Sequence, residues 1–129
     1  MTDTYVYLIH EPDWDSDAFL GDRAGVPGGE PENNFPAHKA FQEAVARLGA
    51  RIVGAAALQN ARHGGRVTPG AGDRAEADAV YSDGPYPDTS EVVSGYYVVE
   101  TDDEALARRI AALVPTDGHI EWRKVFPIS

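Results

Sequence analysis

An α+β fold with two helices on one face of an antiparallel sheet is predicted by three observations. Two amphipathic segments with helical spacing lie at Phe35–Leu48 and around Leu106, Ile110 and Leu113. Runs rich in β-branched and aromatic residues flank them. The longest of these runs, Glu91–Glu100 (EVVSGYYVVE), is apolar on both faces, as a central strand should be. With 129 residues and 43% apolar content, the chain fits one domain, 1–129, with a core of ordinary size.

The elements follow in order. Thr4–Ile9 (TYVYLI) reads as the first strand. His10–Asn34 is dense in Asp, Glu, Gly and Pro and reads as a long surface loop with a short helical turn at Ser16–Leu20. In Phe35–Leu48, His38, Phe41, Val45 and Leu48 recur on one face. Asn33 or Asn34 supplies a cap, Pro36 sits in the first turn, and Gly49 stops the helix. Arg51–Leu58 is the next strand, its small residues Gly54–Ala57 allowing close approach. A turn at His63–Arg66 leads to a short strand Arg66–Thr68, and Asp78–Ser82 returns as its partner. After the strand Glu91–Glu100, Thr101 and Glu104 form a capping box. Leu106, Ile110 and Leu113 make the apolar stripe of the second helix, and Pro115 ends it. His119–Phe126 closes the chain as a strand. The order β-α-β, hairpin, β-α-β is that of a ferredoxin-like split βαβ sandwich with a hairpin extension. One sheet face then lacks a cover, and a second copy of the chain is the simplest one, so a homodimer is expected.

Composition limits function. Twenty-one acidic residues against eleven basic ones give a net charge of −10, which repels phosphate backbones; no nucleic-acid partner is expected. Cysteine is absent, which removes disulfides, thiolate nucleophiles and sulfur-ligated zinc. No apolar run approaches a membrane span and no signal-peptide order opens the sequence, so a cytoplasmic protein is expected. Asp13, Asp15 and Asp17 mimic a calcium loop, but Ala18 and Ala24 stand where Gly and Glu are needed. The histidines lack metal-site spacing, and the glycine-rich pieces lack the context of a phosphate cradle. No metal or cofactor is expected.

The stretch Asp83-Gly84-Pro85-Tyr86-Pro87-Asp88-Thr89-Ser90-Glu91-Val92-Val93-Ser94-Gly95-Tyr96-Tyr97 resembles the signature of the DGPF branch of the YCII-related family, with Tyr86 in place of the naming Phe. Pro36-Ala37-His38 and the closing strand from Ile120 follow in that family's order, so the resemblance covers nearly the whole chain. It implies a dimer of the α+β barrel type with a cleft between sheet and helix, where a His–Asp pair acts on a small molecule. One relative is a dehydrochlorinase of a chlorinated hydroxyquinol. His38 matches the family histidine. In another branch the acid lies near the end of the same helix, where this chain has Arg47; the DGPF branch offers Asp83. The resemblance also implies an alternative, a non-catalytic module linked to extracytoplasmic-function sigma factors, and so a sigma factor as a further partner.

His38, at a helix N-terminus, is kept neutral by the local dipole and suits a general base, with Asp83 to orient it. The plainer alternative is a histidine hydrogen-bonded at a helix start, with Asp83-Gly84-Pro85 acting as a tight turn. Tyr86, Tyr96, Tyr97 and His10 are the candidate pocket residues. Because Tyr96 and Tyr97 point to opposite sheet faces, at most one of them meets the pocket. Tyr86, Arg47 and Arg51 are the candidates for stabilising developing negative charge.

Overall fold

The computed structural model describes residues 2–12, 35–59, 63–73, 75–83 and 91–127. Its elements are β1 (Asp3–Pro12), α1 (Phe35–Arg47), β2 (Arg51–Ala57), β3 (Gly65–Thr68), β4 (Val80–Asp83), β5 (Glu91–Thr101), α2 (Glu104–Leu113) and β6 (His119–Lys124), with a 3₁₀ turn at Glu76–Asp78 before β4. One sheet has the order β2-β5-β1-β6, every pair antiparallel; β3 and β4 form a separate two-stranded sheet. That is the ferredoxin-like strand order with a hairpin inserted between its second and third strands.

Alternation along β1 decides which face each residue meets. Tyr5, Tyr7 and Ile9 are buried, and across the ladder they meet Val99, Tyr97 and Gly95 of β5. Phe41 and Val45 of α1 and Ala107 and Ile110 of α2 pack in the same core cluster, so both helices cover this face. Trp122 and Ile120 of β6 extend the cluster, with the Trp122 ring 6.0 Å from that of Tyr5. Tyr7 is fully buried, and its hydroxyl donates to the Ala107 carbonyl at 2.7 Å, tying the central strand to α2.

The opposite face carries Val6, Leu8, Tyr96 and Val98, all half-buried, with Gly54 and Ala56 of β2 beside them. Charged residues border it: Arg51 pairs with Glu100, and Glu121 lies 3.9 Å from Arg123. The expected barrel is corrected here. The sheet ends in two edges, β2 and β6, that do not meet, and the β3–β4 hairpin does not join it. Four strands are too few to close around a packed interior, which takes about eight.

Several element boundaries differ from expectation; the strand expected at Asp78–Ser82, for one, starts at Val80 after the 3₁₀ turn and runs to Asp83. β1 continues through His10, Glu11 and Pro12, which pair with Val93, Val92 and Glu91, so the expected loop loses its first three residues to the sheet. Residues 13–34, including the anticipated turn at Ser16–Leu20 and the caps Asn33 and Asn34, lie outside the described residues. The cap of α2 is Asp103, whose Oδ1 accepts from the Leu106 N–H at 3.2 Å. Thr101 instead finishes β5 and accepts from the Asp103 N–H. The sheet ladder holds Thr101 extended, so the helix starts later and Asp103 takes over its end. Asp103→Ala should therefore lower stability by about 1 kcal/mol in urea titrations, with a smaller change for Thr101→Ser. Gly49 has φ +89°, the left-handed conformation expected of a residue that ends α1.

Candidate functional site

His38 lies in the first turn of α1, three residues before the buried Phe41, so its ring faces the sheet and is half-buried. Its Nδ1 is 2.6 Å from the hydroxyl oxygen of Tyr97, whose ring is held on the helix side of β5 by alternation and lies 4.7 Å from the Phe41 ring. Gln42, one turn after His38, hydrogen-bonds the same phenol. Burial pushes the His38 pKa below 6.5, against a smaller opposing pull from the Glu11 carboxylate. The imidazole is neutral at neutral pH. Burial likewise raises the Tyr97 pKa above 10, partly offset by the bond from Gln42, so the phenol keeps its proton.

Glu11 belongs to the same face, two residues beyond the buried Ile9. Thr116, in the turn between α2 and β6, donates from Oγ1 to Glu11 Oε1 at 3.4 Å, and the Gly118 N–H donates to Thr116 Oγ1 at 3.0 Å. The end of β1, the start of α1 and β5 thus bring a carboxylate, an imidazole and a phenol to the helix-covered face, with the Thr116 hydroxyl of the α2–β6 turn on the carboxylate. Such a set can exchange a proton with a bound group and orient it by hydrogen bonds.

The other anticipated residues fall elsewhere. His10 alternates to the open face, where it stacks on His119 with ring centroids 4.8 Å apart and its Nε2 lies 3.2 Å from Glu121. It is on the other side of the sheet from His38. Tyr96 also faces that side, opposite Leu8 and Ala56. Asp83 ends β4 with its Cα paired to Gly65; its side chain, and all of Tyr86, lie outside the described residues. Arg51 is engaged with Glu100 on the open face, and Arg47 ends α1 about 14 Å of helix rise from His38. Neither reaches the imidazole.

Sequence reasoning missed Gln42 and Thr116, whereas Glu11, beside His10 at the end of the first strand, is within reach of the pocket rim on the sequence alone. Gln42 was visible as the i+4 neighbour of His38; nothing marked Thr116. Among the described residues no group of three or more His, Asp or Glu side chains is placed to hold a metal ion. No described helix is long and apolar enough to cross a membrane.

Sheet order, helix placement and the histidine at the start of α1 define a small ferredoxin-like α+β domain with a polar cluster under its first helix. The sequence model of the YCII-related domain matches residues 16–129, and the chain belongs to that family. No curated protein matches it.

Proposed function

We propose that the protein is a small-molecule-binding homodimer of the family's DGPF branch, with an acid–base site in which His38 exchanges the proton and Asp83 is the acid that serves it. The carrying observation is the neutral, half-buried His38 ring hydrogen-bonded to Tyr97. A half-buried imidazole that burial keeps neutral is suited to proton transfer or elimination on a polar or aromatic compound. The DGPF pattern supports Asp83 as the partner. Tyr97, rather than Tyr96 or His10, is the aromatic neighbour of this site. The alternative of a non-catalytic module in sigma-factor signalling rests on the resemblance alone.

The test is a thermal-shift and NMR screen of small hydroxylated aromatics, ketones and amides. Compounds that raise the Tm of the wild type should lose their effect in His38→Gln and weaken in Asp83→Asn. If every stabilising compound acts equally on His38→Gln, the site is elsewhere. The same variant checks the pH behaviour. The His38 pKa is lowered in the folded state, so its contribution to stability is present above 6.5 and lost as pH falls through that value towards the folded pKa. His38→Gln should flatten that part of the wild-type stability profile, read by urea titration at a series of pH values.

Assembly follows from the open face. Val6, Leu8, Tyr96 and Val98 form a contiguous apolar strip bordered by charges of both signs, which suits a self-complementary contact between two copies. Light scattering should return twice the chain mass of 13.9 kDa, and Leu8→Lys should return a monomer. A wild-type monomer at micromolar concentration rules the dimer out.

A further inference from the structure

Alternation places Val6, Leu8 and His10 on one side of β1, and β6 sets Arg123, Glu121 and His119 opposite them on the open face. The two imidazoles therefore meet at the end of the apolar strip, two residues past Leu8, about 7 Å along the strand. Their rings are nearly parallel, with planes 7° apart and centroids 4.8 Å apart. Such a stack suits two neutral rings, or one neutral ring beside a charged one. It does not suit two imidazolium ions, whose repulsion grows as water is removed from around them. The charges facing the pair sharpen the point. Glu121 Oε1 is 3.2 Å from His10 Nε2, and Glu121 Oε2 is 3.9 Å from the Arg123 guanidinium. On β5 the partner of His10 is the uncharged Val93. Glu11 points to the other face, where Thr116 bonds it, and Asp117 of the α2–β6 turn is exposed to water. With both rings neutral, Glu121 and Arg123 cancel. Each proton taken up then adds a positive charge, and Glu121 is already shared with Arg123.

We propose that the His10–His119 stack links assembly to pH: two copies of the chain associate through the open face while the rings are neutral and separate as both become protonated. This rests on the reading of the open face as the dimer contact. A second sheet laid over Leu8 packs about 10 Å away and takes the neighbouring imidazoles out of water. Association then disfavours their charged forms, and by linkage a falling pH favours the separate copies, in which the rings are solvated. Two-fold symmetry doubles the response, because the contact buries one pair from each copy. Histidine is the side chain whose charge changes between about pH 5 and 8, so the response falls in that range. The net charge of −10 acts in the opposite sense, since protons relieve repulsion between two acidic chains. That repulsion is long-ranged, and salt at about 0.15 M screens it beyond about 8 Å, whereas charges enclosed in the contact are screened much less.

The experiment is sedimentation velocity on dilution series of the full chain, from about pH 8 to about pH 5.5 at about 0.15 M salt, with circular dichroism at each pH to follow the fold. The dimer dissociation constant should rise roughly tenfold or more between about pH 8 and about pH 6. His119→Gln sits at an exposed strand position, keeps a polar side chain and removes one titrating ring, so it should flatten that dependence. His10→Gln should flatten it too. A dissociation constant that stays level or falls as the pH is lowered overturns the inference. So does a rise that both variants retain, or one that accompanies loss of the circular-dichroism signal. Failure here and failure of the dimer are separable. A dimer that holds equally at every pH leaves the assembly standing without its response to protons, whereas a chain that is monomeric even at about pH 8 removes both.

Discussion

Replacing Gly118 with alanine should lower stability by about 3 kcal/mol or more, and it should disturb both faces of the sheet at once. A Cβ on Gly118 would sit 1.8 Å from the His10 carbonyl oxygen and 3.0 Å from the Glu11 Cα. Those are backbone atoms of β1, which is paired on both sides, to β5 and to β6, and cannot move aside as a flexible side chain would. The α2–β6 turn must retreat instead. Its retreat pulls Thr116 from Glu11 on the helix side and strains the His10–His119 stack on the open side. Urea titration gives the loss of stability, and the His38 pKa gives its local reach: moving Glu11 away removes the pull that opposes burial, so that pKa should fall further. Gly64→Ala is the control. Its Cβ would meet nothing within 4 Å, and the change should stay within about 0.5 kcal/mol.

What was legible in the sequence is what local periodicity encodes. β5 reads as central because Val98 and Val99, like Tyr96 and Tyr97, give it an apolar residue on each face, and it lies between β1 and β2. α2 reads from Leu106, Ile110 and Leu113, although Leu113 proves 44% exposed and Ala107 takes the buried place beside Ile110. Helical spacing marks a face without fixing its width. The helix cap was misread because Thr101 and Asp103 both suit the role, and only the length of β5 decides between them. The far end of β1 was illegible for a different reason. Glu11 and Pro12 have the composition of a loop, and a ladder to β5 makes them strand. Tyr97 was readable as one of two alternating tyrosines, but its bond to His38 joins residues 59 positions apart and exists only once α1 packs on the sheet. The barrel was overread. The sheet was right, and its closure came from the resemblance, with no pattern in the strands to require it.

Raising the pH from 10 to 12 should remove up to about 3 kcal/mol of stability, and Tyr7→Phe should abolish most of that dependence. Tyr7 is 0% exposed at the centre of the core, and its hydroxyl donates to the Ala107 carbonyl. Burial pushes its pKa up to about 12, with a smaller contribution in the same direction from Tyr5. The unfolded chain ionises this phenol near 10, so above that pH unfolding releases a proton that the folded protein retains. The stabilisation is therefore complete below pH 10 and lost as pH climbs through the folded value. Tyr5 and Tyr97, also raised by burial, add to the effect in the same direction. Urea titrations across this range should show a falling midpoint. Tyr7→Phe loses the bond to α2 and should cost about 1 kcal/mol at neutral pH, where the wild-type phenol is intact. The two stability curves should then converge as the pH rises. Curves that stay parallel across the range would mean that Tyr7 ionises in the folded state as freely as in water, and that its burial against α2 does not govern its proton.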